Sequence, residues 1–175
     1  MRLLRVISVV SCFAFLVSST LAQERRSGED FGGIAFKIAP PVGTFGNDFS
    51  IGWGISAMNE YALSKNWSVS FDITYLRWNA KPNELIENFV MIAFTAAPKV
   101  YVWSNVYLSV EVGGFYGTTE AKRGPRFEEQ YRFGVVPVVG YHKGMWDFAV
   151  EYALVRNRNW VNLRAGFYLF DFQLN

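Results

Sequence analysis

The stretch Trp67-Ser68-Val69-Ser70-Phe71-Asp72-Ile73-Thr74-Tyr75 alternates without a break. In an extended chain successive side chains point to opposite faces, so Trp67, Val69, Phe71, Ile73 and Tyr75 share one face. Ser68, Ser70, Asp72 and Thr74 share the other. A helical period of 3.6 would scatter both sets around the axis. The same beat returns three times. Val106, Leu108, Val110 and Val112 alternate with Tyr107, Ser109, Glu111 and Gly113. Trp146, Phe148, Val150, Tyr152 and Leu154 alternate with Asp147, Ala149, Glu151 and Ala153. Val161, Leu163, Ala165, Phe167 and Leu169 alternate with Asn162, Arg164, Gly166 and Tyr168. Gly33–Ala39, Ser50–Leu63, Asn88–Trp103 and Phe127–Tyr141 read as strands with a less regular pattern, which makes eight. Most exceed the soluble mode of about 5–6 residues and reach the 9–11 or so that a tilted membrane strand needs.

The connections alternate in length. Ser64–Asn66, Ser104-Asn105 and His142–Gly144 are hairpin-sized and rich in turn formers. Pro40–Phe49, Asn79–Glu87 and Thr118–Arg126 are longer, and Arg156–Asn159 is short but polar. An even strand number places both termini and the tight turns at one end, with the longer loops at the other.

Composition fits an unusual barrel. The 175 residues are 51% hydrophobic, 18% aromatic and 18% charged, against about 25% charged in an ordinary soluble domain. This length allows one domain. Beyond the N-terminus no apolar run approaches the 20 or so residues of a spanning helix. Arg2 and Arg5, the apolar stretch Val6–Val17 and the small residues Ser18–Thr20 make residues 1–22 a secretory signal peptide, with cleavage expected after Ala22 or one residue later. Val9-Val10-Ser11-Cys12 only loosely resembles a lipidation site, because the apolar core continues past Cys12. The two arginines account for the formal charge of +2, so the rest of the chain is neutral and offers no nucleic-acid footprint. It also lacks cysteine, which leaves no disulfide and no thiolate metal site. Residues 23–32 are a polar lead-in and 33–175 the barrel.

Two arrangements satisfy such a pattern: apolar faces outward toward lipid, or inward around a ligand as in a soluble lipocalin- or avidin-type barrel. The minority face favours the first. It carries Lys37, Glu60, Asp72, Lys99, Glu111, Arg132, Asp147, Glu151 and Arg164, interleaved with Gly, Ala and Ser rather than with the Lys, Glu and Thr of a solvated face. These charges are expected to form a network in a lumen that side chains fill. The aromatics support the same choice. Trp67, Trp103, Trp146, Tyr61 and Tyr141 lie at the tight-turn level; Trp53, Tyr75, Trp78, Tyr116, Tyr131 and Trp160 lie at the loop level. Two such belts mark membrane–water interfaces. Pro98, Pro137 and Asn59 interrupt the pattern; a bulge at Pro98, turning Tyr101 and Trp103 toward lipid, and a slip at Asn59 would reconcile them.

With these features the chain resembles the small eight-stranded outer-membrane barrels, the OmpX type and the membrane domain of OmpA. The resemblance covers about residues 31–175. In the terminal strand Arg164, Gly166 and Leu169 match the polar, glycine and hydrophobic positions of that class's assembly signal; Asp171 and Asn175 depart from it. The resemblance implies an all-β, antiparallel up-and-down transmembrane barrel in a Gram-negative-type outer membrane, inserted by the outer-membrane assembly machinery. Its partners would be outer-membrane lipids including lipopolysaccharide, and its role structural or surface-interactive: envelope integrity or adhesion as a monomer.

No enzymatic set emerges. The single histidine, His142, falls in a tight turn, far from the loop end where a lipid-modifying enzyme would need it, and reads as a polar turn residue. No phosphate loop, metal spacing or cofactor motif is present. Lys122, Arg123 and Arg126 form a basic cluster in the third loop that could contact lipopolysaccharide phosphates, tempered by Glu120, Glu128 and Glu129; Arg156 and Arg158 add charge in the fourth.

Overall fold

The computed structural model describes residues 28–82, 86–121 and 127–173. Residues 1–22, expected to be the signal segment, most of the expected lead-in, and Lys122, Arg123 and Arg126 lie outside the described residues. Nine strands follow in order: β1 (Glu29–Ala39), β2 (Pro41–Val42), β3 (Gly52–Ala62), β4 (Trp67–Asn79), β5 (Ile86–Tyr101), β6 (Val106–Ala121), β7 (Phe127–Lys143), β8 (Trp146–Val155) and β9 (Arg158–Gln173). Among the described residues one helix, α1 (Thr44–Asp48), interrupts them. Every neighbouring pair is antiparallel, and β1 also pairs with β9, so eight long strands close on themselves. β2 is a two-residue arm on the end of β9.

The barrel is inside out relative to a soluble one. Phe71, Val110 and Val150 are 54%, 47% and 53% exposed, while their neighbours Asp72, Glu111 and Glu151 are 5%, 3% and 1% exposed. This excludes the lipocalin-like arrangement, which requires the apolar faces around the axis. Closure satisfies the backbone donors and acceptors within the sheet, the condition for crossing hydrocarbon. The strands run 10 to 17 residues in β8 and β7, long enough for a tilted span.

Several boundaries differ from the sequence expectation. β1 begins at Glu29, inside the expected polar lead-in, because Glu29–Gly32 pair with the end of β9 across a bulge at Gly32/Gly33. β4 and β6 extend to Asn79 and Ala121, where rim pairing overrides polar composition. The first connection is structured: Gly43 (φ 64°) turns the chain into α1. The last is a tight turn with Asn157 at φ 61°, a conformation asparagine tolerates.

The three irregular residues do not shift register. β5 meets β6 at Ala96–Val112 and again at Lys99–Ser109 in the same register; only the ladder at Ala97 and Pro98 lapses. Pro98 points outward, and Ser109 Oγ donates to its carbonyl at 3.0 Å. No bulge forms, so Tyr101 turns into the lumen instead of toward lipid. β7 treats Pro137 alike, with a lapse toward β8 between Val135–Leu154 and Val138–Glu151. A long barrel strand tolerates one missing donor because pairing continues on both sides of it. Asn59 keeps its outward parity and donates from Nδ2 to Asp30 Oδ1 on β1 at 2.6 Å, so no slip is needed.

Small inward residues make room for large ones. A Cβ on Gly140 would lie 2.1 Å from Tyr107 Cζ, because the Tyr107 ring lies across that glycine. Gly140→Ala is therefore expected to displace Tyr107 and lower stability by about 1–3 kcal/mol, the usual cost of overpacking. The check is the urea midpoint of the detergent-folded barrel, with the exposed Val139→Ala as reference.

Candidate functional site

Within the lumen the side chains form layers. Nearest the tight turns, Glu60 (β3) accepts from Ser68 Oγ at 2.7 Å, Tyr101 OH at 2.9 Å, Tyr168 OH at 2.9 Å and Lys99 Nζ at 2.8 Å. Lys99 also sits 4.7 Å over the Tyr107 ring. His142 belongs here. It is not an exposed turn residue: it is buried on the inward face of β7, stacked 4.8 Å from Tyr168, with Nε2 2.9 Å from Gly144 O and Nδ1 4.0 Å from Glu60 Oε2. The period-two pattern of β7 continues through Lys143, which is why the ring points inward. Ser68 donates to the carboxylate rather than to the imidazole, so Ser68, His142 and Glu60 do not have the connectivity of a nucleophilic triad.

The next layer centres on Arg164 (β9). Its guanidinium reaches Glu151 Oε1 at 2.9 Å, Asp147 Oδ1 at 3.1 Å, Asp72 Oδ2 at 3.2 Å and Glu111 Oε1 at 3.4 Å. It also donates to Tyr107 OH. Lys37 (β1) holds Glu151 Oε2 at 3.0 Å, Asn162 Nδ2 donates to the same oxygen at 2.8 Å, and Thr95 Oγ1 donates to Glu111 Oε2 at 3.0 Å. One planar cation with five fixed donors thus ties together β4, β6, β8 and β9.

Eight of the nine charges read as luminal are in this network. Arg132 is not. It is half-buried at the loop end, donating to Arg156 O and Gln130 Oε1. Its inward parity is correct, but β7 there stands at the rim, above the carboxylates.

The loop end of the lumen is closed by aromatic rings. Phe45 of α1 is buried, 4.9 Å from Phe49, 5.3 Å from Trp78, 5.7 Å from Phe89 and 6.4 Å from Trp160. Trp78 donates from Nε1 to Ala39 O at 2.8 Å, and Arg158 lies 3.9 Å over Phe89. Trp160 and Trp78, assigned from sequence to the outer aromatic belt, are 1% and 0% exposed and point inward. Parity was the available signal: Trp160 shares its face with Asn162 and Arg164, and Trp78 with Asp72 and Leu76. Phe45 carried no signal, since nothing local says that a loop folds back into a barrel. The remaining belt residues face outward. Trp53, Trp67, Trp103 and Trp146 are exposed, as are Tyr61, Tyr116 and Tyr131; Tyr75 and Tyr141 are half-buried. Two water-sized cavities of about 10 Å³ flank Trp160. Among the described residues no group of three His, Cys, Asp or Glu is disposed to hold a metal.

An apolar exterior and an ionic interior on a closed eight-stranded sheet are the arrangement of small outer-membrane barrels. The chain shares that fold. Ail, the attachment invasion locus protein of Yersinia pestis, superposes with a TM-score of 0.60 at 16% identity, covering 83% of this chain and 99% of Ail. OprG from Pseudomonas aeruginosa gives 0.58 at 12% identity, covering 87% and 100%. A de novo designed transmembrane barrel gives 0.54 at 11% identity, covering 84% and 100%. No protein-family profile and no curated protein sequence matches the chain. At such identities the likeness is one of architecture. It extends to a designed barrel, so the likeness reports the fold alone.

Breaking a buried ion pair by removing one partner costs about 3–5 kcal/mol. Arg164→Met is expected to lose at least that much, since four carboxylates would lose their shared cation. Arg132→Met at the rim is expected to stay within about 0.5 kcal/mol of the parent. Urea-dependent folding in detergent micelles, followed by gel mobility, compares the two.

Proposed function

We propose that the chain is an integral outer-membrane protein, exported by residues 1–22, with a structural or surface-interaction role in envelope integrity or adhesion. The observation that carries this is the outward apolar band flanked by exposed Trp53, Trp67, Trp103 and Trp146 around a plugged ionic lumen. Such a surface is stable only against hydrocarbon, and a filled lumen does not serve as a diffusion pore. The tight turns then face the periplasm and the loop end faces outward. Insertion by the outer-membrane assembly machinery follows from that location, and the barrel acts as a monomer.

The contact surface in this reading is the loop-end rim. Arg132, Arg156 and Arg158 lie there, and Lys122, Arg123 and Arg126 belong to the loop between β6 and β7. Guanidinium groups favour bidentate contact with phosphate or sulfate oxygens. The chemistry expected is an anionic glycan or lipid, lipopolysaccharide foremost. Ail has been crystallised with sucrose octasulfate, a heparin analogue, which makes a polyanion the class to try first.

Envelope fractionation tests the location. The protein is expected in the outer-membrane pellet, soluble only with detergent, and migrating faster on gels when unheated. Recovery in the soluble periplasm would end this reading. Reconstituted into planar bilayers, it is expected to show no steady large conductance, as the cavities of about 10 Å³ imply.

Single-tryptophan variants test the two aromatic populations. In vesicles containing brominated lipid, emission from Trp53, Trp67 and Trp146 is expected to be quenched. Emission from Trp78 and Trp160 is expected to persist.

A further inference from the structure

The outer wall carries a trough that runs across the strands. Its floor is the in-register row Gly166, Ala35, Ser56 and Thr74, whose parity is inward, so backbone faces out there. One side runs in register from Trp146 through Phe167 and Ile34 to Ile73. The other runs from Ala165 through Phe36 and Ile55 to Ile92. Outward alanines, Ala57 and Ala165, widen it between these larger neighbours. The open volume is about 620 Å³, within the roughly 300–1,000 Å³ of small-molecule sites. The trough crosses from β8 by way of β9, β1, β3 and β4 to β5, five strand spacings of about 4.8 Å, or roughly 24 Å. With strands tilted by about 40°, that path climbs about 15 Å along the barrel axis, half of a hydrocarbon core about 30 Å thick.

The low end of the trough is the tight-turn end, because Trp146 opens β8. There the Trp146 ring meets Phe167 edge to face at 5.0 Å. A cation stands beside it. Lys143 on β7 pairs directly with Trp146, and His142 before it is buried inward, so Lys143 takes the outward face. No carboxylate among the described residues pairs with Lys143.

We propose that this trough holds one acyl chain of a phospholipid from the leaflet on the tight-turn side, with the lipid phosphate at Lys143. The proposal rests on the transmembrane reading, which puts the trough in hydrocarbon. Lipid tails are as apolar as the wall, so close packing and the headgroup contact decide which lipid stays. A chain lying in the trough touches both sides and the floor; one on the convex wall elsewhere touches a single surface. Trp146 stands at headgroup level, where an ammonium favours phosphate oxygens. A climb of about 15 Å matches one leaflet. Lipids anchored at the loop end have their phosphates a full membrane away from Lys143.

The full chain is folded into vesicles of phosphatidylglycerol and phosphatidylcholine in equal amounts, extracted into mild detergent, and weighed by native mass spectrometry. The barrel is expected to retain one phospholipid, with phosphatidylglycerol favoured at least threefold. Ala57→Phe, which fills the trough, is expected to cut the retained fraction at least threefold, and Ala165→Phe to act alike. Val110→Phe, an equal addition to the outward face of β6, is expected to change nothing. Lys143→Gln is expected to abolish the headgroup preference. A wild-type barrel that carries no lipid, equal retention by Ala57→Phe and Val110→Phe, a preference that survives Lys143→Gln, or a second barrel in place of the lipid would overturn the site. Quenching of Trp53 and Trp67 by brominated lipid reports insertion separately, so a barrel that inserts but retains nothing sinks the trough and leaves the membrane location standing.

Discussion

A closed sheet leaves no edge of unpaired backbone donors and acceptors, and that constraint shapes everything else in this chain. It forces β1 to find β9 across nearly the whole sequence, since an open edge would leave a strand of unpaired donors and acceptors. Once closed, the sheet turns its large apolar residues outward, and the charged minority face has nowhere to go but the interior. There the charges must satisfy one another.

Arg164 is the consequence of that enclosure. Four carboxylates from β4, β6 and β8 converge on one guanidinium from β9. Strands far apart in sequence are held in register by ionic contacts across the lumen as well as by ladders around it. Small residues permit this. Gly140 yields its side-chain space to the Tyr107 ring, whose hydroxyl in turn receives Arg164. Above this layer the lumen changes character to a stack of rings capped from outside by Phe45. The barrel thus has an ionic lower half and an aromatic upper half, joined at Trp160 and Asn162.

The prolines show how closure changes a familiar rule. In an open sheet proline belongs at an edge. Here Pro98 and Pro137 sit in mid-strand, each losing the ladder on one side over two residues while the register continues beyond. Long strands paired on both sides absorb the gap, and an outward bulge is unnecessary.

Alternation along the chain was enough to establish strands, the eight long ones that close the barrel, the outward parity and eight of the nine inward charges, because a period of two is a local property of extended backbone. It also set most aromatics of both belts facing outward. Three things needed the tertiary structure. Trp78 and Trp160 lie at the right height for a belt but on the inward parity, and height alone misplaced them. Arg132 has the right parity but stands at the rim, because position along the barrel axis depends on where each ladder begins. Phe45 enters the lumen from a loop, and no periodicity marks a segment whose place is decided by the hollow it fills. Sequence specifies which face a residue takes; which partners it meets across the barrel follows only from closure, since that step brings residues a hundred positions apart within bonding distance.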